Sequence, residues 1–288
     1  MIGTVGLVLK PGVAEAVTAM RQAVELAPSA RFVVERGGHH ALADIPARVE
    51  PVDREVFERE VDLVLVLGGD GTLIHAAALL QERVVPILGI NLGRIGFLTE
   101  VPRSELARVF PRALAGELSY TERMRIEAEV WRGGERALRT RILNEVAVSQ
   151  LALARIASYR VVLGDELVTV IRGDGVIIAT PTGSTAYSMA AGGSIVEPQL
   201  EALVVQPICP HALSQRGLVL APTREIRVSL DSDHVVYVSF DGQAGQEFRF
   251  GDTLVLRRSP VPTRLLRVTG HSHFETLRTK LRWGQGLE

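Results

Sequence analysis

The segment Val61-Asp62-Leu63-Val64-Leu65-Val66-Leu67-Gly68-Gly69-Asp70-Gly71-Thr72, with the Ala-, Leu- and Ile-rich run Thr72–Gln81 behind it, decides the fold. A short, nearly continuous apolar run rich in valine reads as a strand buried on both faces, and the run after the glycines reads as a helix. Working outward, residues 2–9 form another apolar run, Val13–Leu26 has helical spacing, Arg31–Val34 reads as a short strand and Val84–Ile90 as a further buried strand. Strands alternating with helices imply an α/β domain with an open, mostly parallel sheet. Ligands in such sheets bind at the carboxyl ends of the strands, which is where Gly68–Thr72 falls.

Glycines there permit positive φ and let phosphate oxygens approach the amides at a helix N-terminus. Asp70 has two readings: a helix cap, or a carboxylate aimed at an anion site, where it needs a hydroxyl to accept from or a magnesium ion to share. The next strand ends in Gly89-Ile90-Asn91-Leu92-Gly93-Arg94-Ile95-Gly96-Phe97-Leu98-Thr99. This loop lacks the full dinucleotide fingerprint. Arg94 reads either as a phosphate clamp or as an exposed loop arginine.

From about Arg123 the pattern changes to short β-branched runs at 125–130, 142–150, 160–163, 167–171, 176–179, 226–229, 235–239 and 253–257. Closely spaced strands with Gly and Asp turns indicate a β-rich second domain, a sandwich or curled antiparallel arrangement. The expected division is 1–120 for the α/β domain carrying the Gly68–Thr72 loop, 121–268 for a β-rich domain, and 269–288 for a C-terminal helix packing back on the first domain. Within the second domain, Asn144-Glu145 interrupts an apolar strand, and burying an unpartnered polar group costs roughly 1–3 kcal/mol. A bound nucleoside is one way to satisfy the pair; a solvent-facing bulge is the other. Gly173-Asp174-Gly175-Val176-Ile177-Ile178-Ala179-Thr180-Pro181-Thr182-Gly183-Ser184-Thr185-Ala186-Tyr187-Ser188 places hydroxyls at a helix start, with Tyr187 able to stack on a flat ring.

Bulk composition narrows the classes. The chain has 288 residues, 47% hydrophobic and 23% charged, and a net charge of −1, so no overall basic field recommends nucleic acid as a partner. No apolar run reaches the roughly 18 residues that span a bilayer. The opening residues Met1–Gly12 read as a strand rather than a signal sequence, and Cys209 is the single cysteine, which excludes an intrachain disulfide and points to a cytoplasmic location. Cys209 itself is expected as a buried small hydrophobe, and His39, His40, His271 and His273 as solvated loop residues. Lysine occurs only at Lys10 and Lys280 and asparagine only at Asn91 and Asn144, a bias that suits heat adaptation and a GC-rich genome alike. With so little lysine there is no Gly-x-x-x-x-Gly-Lys-Ser/Thr phosphate loop.

Taken in order, Gly68-Gly69-Asp70-Gly71-Thr72, Asn91 to Thr99, Asn144-Glu145, Gly173 to Ser188, Pro207 to His211 and Asp241-Gly242-Gln243 resemble the NAD kinases over nearly the whole chain. The first of these turns is shared with lipid and sugar kinases; the Asn-Glu pair and the Thr-Gly-Ser-Thr-Ala-Tyr run are narrower. The resemblance implies transfer of the γ-phosphate of ATP, or of another phosphoryl donor, to the 2′-hydroxyl of the adenosine ribose of NAD, with magnesium and as a homodimer or homotetramer. By the same resemblance Asp70 accepts the hydroxyl proton, Gly68, Gly69, Gly71 and Thr72 form the donor loop, and His75 lies beside the dinucleotide. Asn144 and Glu145 hold the adenosine half, and Arg155, Arg172 and Asp174 complete the pocket. Thr182, Thr185, Ala186, Tyr187, Ser188, Met189 and Ala190 line it, Ala190 standing where many relatives carry Ser, and Gln243 closes one edge. Two rival readings are a catalytically silent NAD(P)-binding sensor and a lipid or sugar kinase sharing only the first turn.

Overall fold

The computed structural model describes residues 2–39, 46–94, 96–150, 156–233, 235–268, 270 and 272–283, and the chain divides into two compact units, residues 1–122 with 263–288, and residues 123–262. Arg155, His40 and His271 lie outside the described residues.

The first unit is the α/β body. Its elements run β1 (Thr4–Leu9), α1 (Ala14–Leu26), β2 (Arg31–Glu35), α2 (Arg36–His39), β3 (Val49–Val52), α3 (Arg54–Glu60), β4 (Leu63–Gly68), α4 (Asp70–Leu79), β5 (Pro86–Asn91), β6 (Val101–Pro102), α5 (Leu106–Leu114) and β7 (Ser119–Arg123). The sheet order is β3-β2-β1-β4-β5, and the pairings among these five strands are parallel. The first connections run outward from β1 to β3, and the chain then returns to place β4 on the other side of β1. The point of reversal lies between β1 and β4, where such sheets open a ligand crevice. There the backbone N–H of Lys10 donates to the carbonyl of Leu67 at 2.9 Å, so the ends of both strands meet at the glycine loop. Leu63 to Leu67 are fully buried, as a central strand covered on both faces requires. In α1 the buried residues Ala16, Ala19, Met20, Ala23 and Val24 follow the three- and four-residue spacing of one helix face.

The second unit is all β: β8 (Ile126–Arg132), β9 (Glu135–Ile142), β10 (Glu145–Ser149), β11 (Ala157–Leu163), β12 (Glu166–Gly173), β13 (Gly175–Ala179), the short helix α6 (Tyr187–Ala190), β14 (Leu203–Ile208), β15 (Leu218–Leu220), β16 (Ile226–Leu230), β17 (Val236–Phe240), β18 (Ala244–Phe248) and β19 (Thr253–Arg258). Two six-stranded sheets form, β15-β14-β13-β10-β17-β18 and β12-β11-β16-β19-β8-β9, with antiparallel neighbours throughout. Val146, Val148, Val176, Ile178 and Val238 of the first sheet pack with Ala128, Val130, Tyr159, Val161, Val228 and Leu254 of the second, which makes the unit a sandwich. The other face of β10, β13 and β14 is covered too: Ala147, Ile177, Ala179 and Val204 pack with Val196 and Ala202. This double burial is why Val176–Ala179 reads as a continuous apolar run rather than an alternating one.

The chain then returns to the first unit through β20 (Thr263–Arg267), parallel to β5, and α7 (His273–Leu281). Three expectations fail, the first being a loop at His39, which instead ends the short helix α2. Cys209 is exposed rather than buried, because it occupies the left-handed region (φ 43°) in the turn that leaves β14. His273 opens α7 instead of lying in a loop, its ring centroid 6.5 Å from that of Phe97. Among the described residues no helix is long and apolar enough to cross a membrane.

Candidate functional site

In the first unit the site is built on the junction of β4 and α4. A Cβ on Gly68 would lie 2.3 Å from Thr72 Oγ1, so glycine there lets the first turn of the helix close onto the strand. Around Gly69 and Gly71 the space where a Cβ would go is empty. None of the three has a positive φ, so the expected left-handed turn is corrected to an extended entry, with Gly69 at φ −111° and ψ −168°. These glycines give room and close approach, not a special dihedral.

Asp70 is the first residue of α4 and not its cap, which is Gly69. Its carboxylate turns to the loop after β5. Oδ1 accepts from the N–H of Leu98, the N–H of Thr99 and Thr99 Oγ1, each at 3.0 Å, while Oδ2 accepts from the N–H of Phe97 at 2.7 Å. Oδ1 is thus saturated and Oδ2 keeps acceptor capacity. Asn91 braces the same loop, donating through Nδ2 to Thr99 Oγ1 (2.8 Å) and accepting from the N–H of Gly93 (2.7 Å). Gly96 is required by contact, since a Cβ there would lie 1.9 Å from Asp70 Oδ1. Arg94 is exposed on this loop and His75 is exposed on α4. From α7, Lys280 brings its Nζ to 3.9 Å from Asp70 Oδ2 and 4.7 Å from the centre of the Phe97 ring.

In the second unit the site forms where β10 begins and β13 ends, strands whose register pairs Glu145 with Ala179. Thr180 fastens the two: its N–H donates to the carbonyl of Asn144 (2.8 Å) and its hydroxyl to the carbonyl of Leu143 (2.6 Å). Gly183 lies against the Asn144 backbone so closely that a Cβ would lie 2.2 Å from its carbonyl oxygen. Asp241, held in the left-handed region (φ 52°), accepts backbone N–H bonds from Leu143 (2.8 Å), Asn144 (2.6 Å) and Glu145 (3.1 Å). The Asp-Gly turn after β17 therefore fixes the Asn-Glu backbone, a role that the motif as read from sequence, with Gln243 as its functional member, did not contain.

Four buried polar atoms on these segments, Asn144 Oδ1, Glu145 Oε2, Thr182 Oγ1 and Ser188 Oγ, have no hydrogen-bond partner. The parent residues are at most 7% exposed. Leaving such groups unmet is costly, and a bound molecule carrying both donors and acceptors would satisfy them. Glu145 shows the strain electrostatically: burial, and next the neighbouring Asp241, push its carboxyl up to about 7, against a smaller opposing effect of the Tyr187 N–H. Burial likewise raises Asp241, although three amides and Arg125 oppose it. Thr185 and Ala186 are half-buried beside this cluster, and the Tyr187 side chain is 43% exposed, open to a stacking partner. Met189 is half-buried and Ala190 exposed at the end of α6.

Not every expected residue joins this cluster. Arg172 and Asp174 are exposed beside the start of β13, opposite the end at Ala179 that carries Thr182. At about 3.3 Å per residue the strand separates the two groups by roughly 17 Å. Gln243 is exposed in the turn just beyond Asp241. Among the described residues no group of three or more His, Cys, Asp or Glu side chains is placed to hold a metal ion.

Comparison with known proteins bears on both halves. The ATP-NAD kinase N-terminal domain family matches residues 5–118 and the ATP-NAD kinase C-terminal domain family residues 143–268. An NAD kinase of Syntrophotalea carbinolica is 47% identical over 81% of this chain and 82% of the relative, and one of Geobacter sulfurreducens is 46% identical over 78% and 79%. Among solved structures, yeast NADH kinase complexed with NADH superimposes with a TM-score of 0.91 at 26% identity, covering 100% of this chain and 89% of that one. An NAD kinase from Archaeoglobus fulgidus in complex with ATP gives 0.74 at 27% identity, covering 97% and 98%. With both domain families matched in order and relatives this similar along four-fifths of its length, the chain belongs to the NAD kinase family, the phosphotransferases of EC 2.7.1.23.

Proposed function

We propose a division of labour for NADP synthesis in which the second unit holds the adenosine half of NAD and the first unit carries the donor loop and Asp70. The four orphaned polar atoms of Asn144, Glu145, Thr182 and Ser188 carry this reading. A carboxylate oxygen suits ribose hydroxyls, an amide oxygen suits the exocyclic amine of adenine, and Tyr187 offers a face for stacking. The reading also keeps Gly68, Gly69, Gly71 and Thr72 at the phosphates of ATP or another donor, and His75, Arg172, Asp174 and Gln243 at parts of the ligands outside the orphaned cluster.

The 2′-hydroxyl attacks the γ-phosphorus and its proton passes to Asp70 Oδ2, the oxygen that keeps acceptor capacity. Because phosphoryl-transfer transition states are loose, holding the hydroxyl in line contributes as much as removing the proton. Magnesium, where it accompanies the donor, would supply charge compensation to the phosphates and would need no cage of protein ligands. Self-association into a homodimer or homotetramer belongs to the same reading, because the edge strands β12 and β15 expose Leu167 (53%), Val170 (37%), Leu218 (39%) and Val219 (55%).

The test is NADP formation by the purified protein from NAD, magnesium and either ATP or polyphosphate, followed with an NADP-specific dehydrogenase. Turnover with ATP supports the reading. A folded protein that binds NAD but forms no NADP with either donor would favour the silent sensor.

A further inference from the structure

We propose that Lys280 is a catalytic residue of the phosphoryl transfer, its ammonium binding the donor's phosphates at the Gly68–Gly71 loop. The inference rests on the reading that Asp70 stands at the point of transfer.

Its Nζ lies 3.9 Å from Asp70 Oδ2, too far for a hydrogen bond, and 4.7 Å from the centre of the Phe97 ring. The ammonium is therefore held in place by a ring face and a carboxylate while its N–H donors remain available. The side chain is only 31% exposed, so this is no freely solvated lysine. Oδ2, the oxygen nearest to it, is also the one not saturated by the loop amides. A triphosphate arriving beside Asp70 meets a negative group of the protein, and a cation at this point offsets that repulsion.

The residue type adds a second argument. In this chain every basic side chain except Lys10 and Lys280 is arginine. An arginine at position 280 would reach further with a planar fork and donate directly to the one oxygen with acceptor capacity, occupying Oδ2. A lysine held just outside bonding distance keeps Oδ2 open for the hydroxyl proton. In the step itself the 2′-oxygen bonds to the γ-phosphorus, the bond from that phosphorus to the β–γ bridging oxygen breaks with its electron pair leaving on the nucleoside diphosphate, and the proton goes to Asp70. Lys280 offsets charge on the phosphoryl and bridging oxygens.

The test compares Lys280→Met, Lys280→Arg and Lys280→Cys, the last in a Cys209→Ser background because Cys209 is exposed and would also react. Each is assayed for kcat and KM with ATP, NAD affinity by calorimetry and thermal midpoint, and Lys280→Cys is assayed again after aminoethylation with bromoethylamine. We expect Lys280→Met to lower kcat/KM for ATP by about 10²-fold, in the range found for removing one charge-stabilising donor, with NAD affinity and midpoint unchanged. Lys280→Arg should stay impaired and aminoethylated Lys280→Cys should recover most of the rate. Lys280→Met within threefold of wild type, or no gain on aminoethylation, overturns the assignment. Asp70→Asn in the same assay separates the layers: an inactive Asp70→Asn beside a normal Lys280→Met refutes Lys280 alone, whereas a fully active Asp70→Asn removes the reading beneath it.

Discussion

Replacing Glu145 by Gln should abolish a large pH dependence of stability in the ligand-free protein. The carboxyl stands at about 7 in the fold against an ordinary 4.5, chiefly through burial and then through Asp241. Because the folded value is raised, the folded state binds the proton more tightly than the unfolded chain does. Stability from this group is therefore fully present below pH 4.5 and lost as pH rises through about 7. At about 1.4 kcal/mol per pH unit, that interval corresponds to about 3 kcal/mol, most of it between pH 5 and 8. Gln keeps a carbonyl oxygen for the Tyr187 N–H and does not titrate. Urea unfolding of wild type and Glu145→Gln from pH 5 to 8.5, read by a probe in the second unit, should show the variant gaining about 2–3 kcal/mol on wild type across the range. Because ribose hydroxyls donate best to the ionised carboxylate, NAD affinity of the wild type should also rise about tenfold from pH 6 to 8 and that of the variant should not. Parallel stability profiles for the two proteins would refute the argument.

Two glycines offer sharper perturbations than any polar residue. Gly183→Ala places a methyl 2.2 Å from a backbone oxygen of Asn144 that is itself pinned by Thr180, so it should lower stability by about 1–3 kcal/mol and remove NAD binding, as calorimetry and denaturation would show. Gly96→Ala, whose methyl would meet Asp70 Oδ1 at 1.9 Å, should lower turnover about 10²-fold while NAD affinity persists; intact turnover would mean that the Asp70 loop contact is dispensable.

What was legible in the sequence follows from burial. β4 and β13 announce themselves because strands covered on both faces need unbroken apolar runs. β9 does not, since as an edge strand it exposes Glu135, Arg136 and Ala137 and begins without any apolar alternation. β14 escapes notice because Gln206 and Pro207 interrupt it; Gln206 is nevertheless buried, its amide donating to the carbonyls of Ala191 and Pro207. Asn144 and Glu145 could be picked out because a polar pair in an apolar strand is anomalous, whereas Thr182 and Ser188, in a hydroxyl-rich stretch, were named only by the family resemblance. The partners of Asp70 at 97–99, the hold of Asp241 on residues 143–145 and the approach of Lys280 could not, because each joins segments far apart in the chain through backbone amides or one long side chain. The Gly68–Thr72 loop shows the limit from the other side. Its place between β4 and α4 was legible, yet its glycines give close packing and open space rather than positive φ.

The central claim is that Asp70 is the carboxylate of the transfer. Asp70→Asn, assayed for NADP formation from NAD and ATP and titrated with NAD by calorimetry, tests it most directly. The account predicts turnover reduced by about 10²–10⁴-fold with NAD affinity retained, because the orphaned cluster proposed to hold adenosine belongs to the other unit. Turnover within tenfold of wild type in a folded Asp70→Asn protein would contradict it.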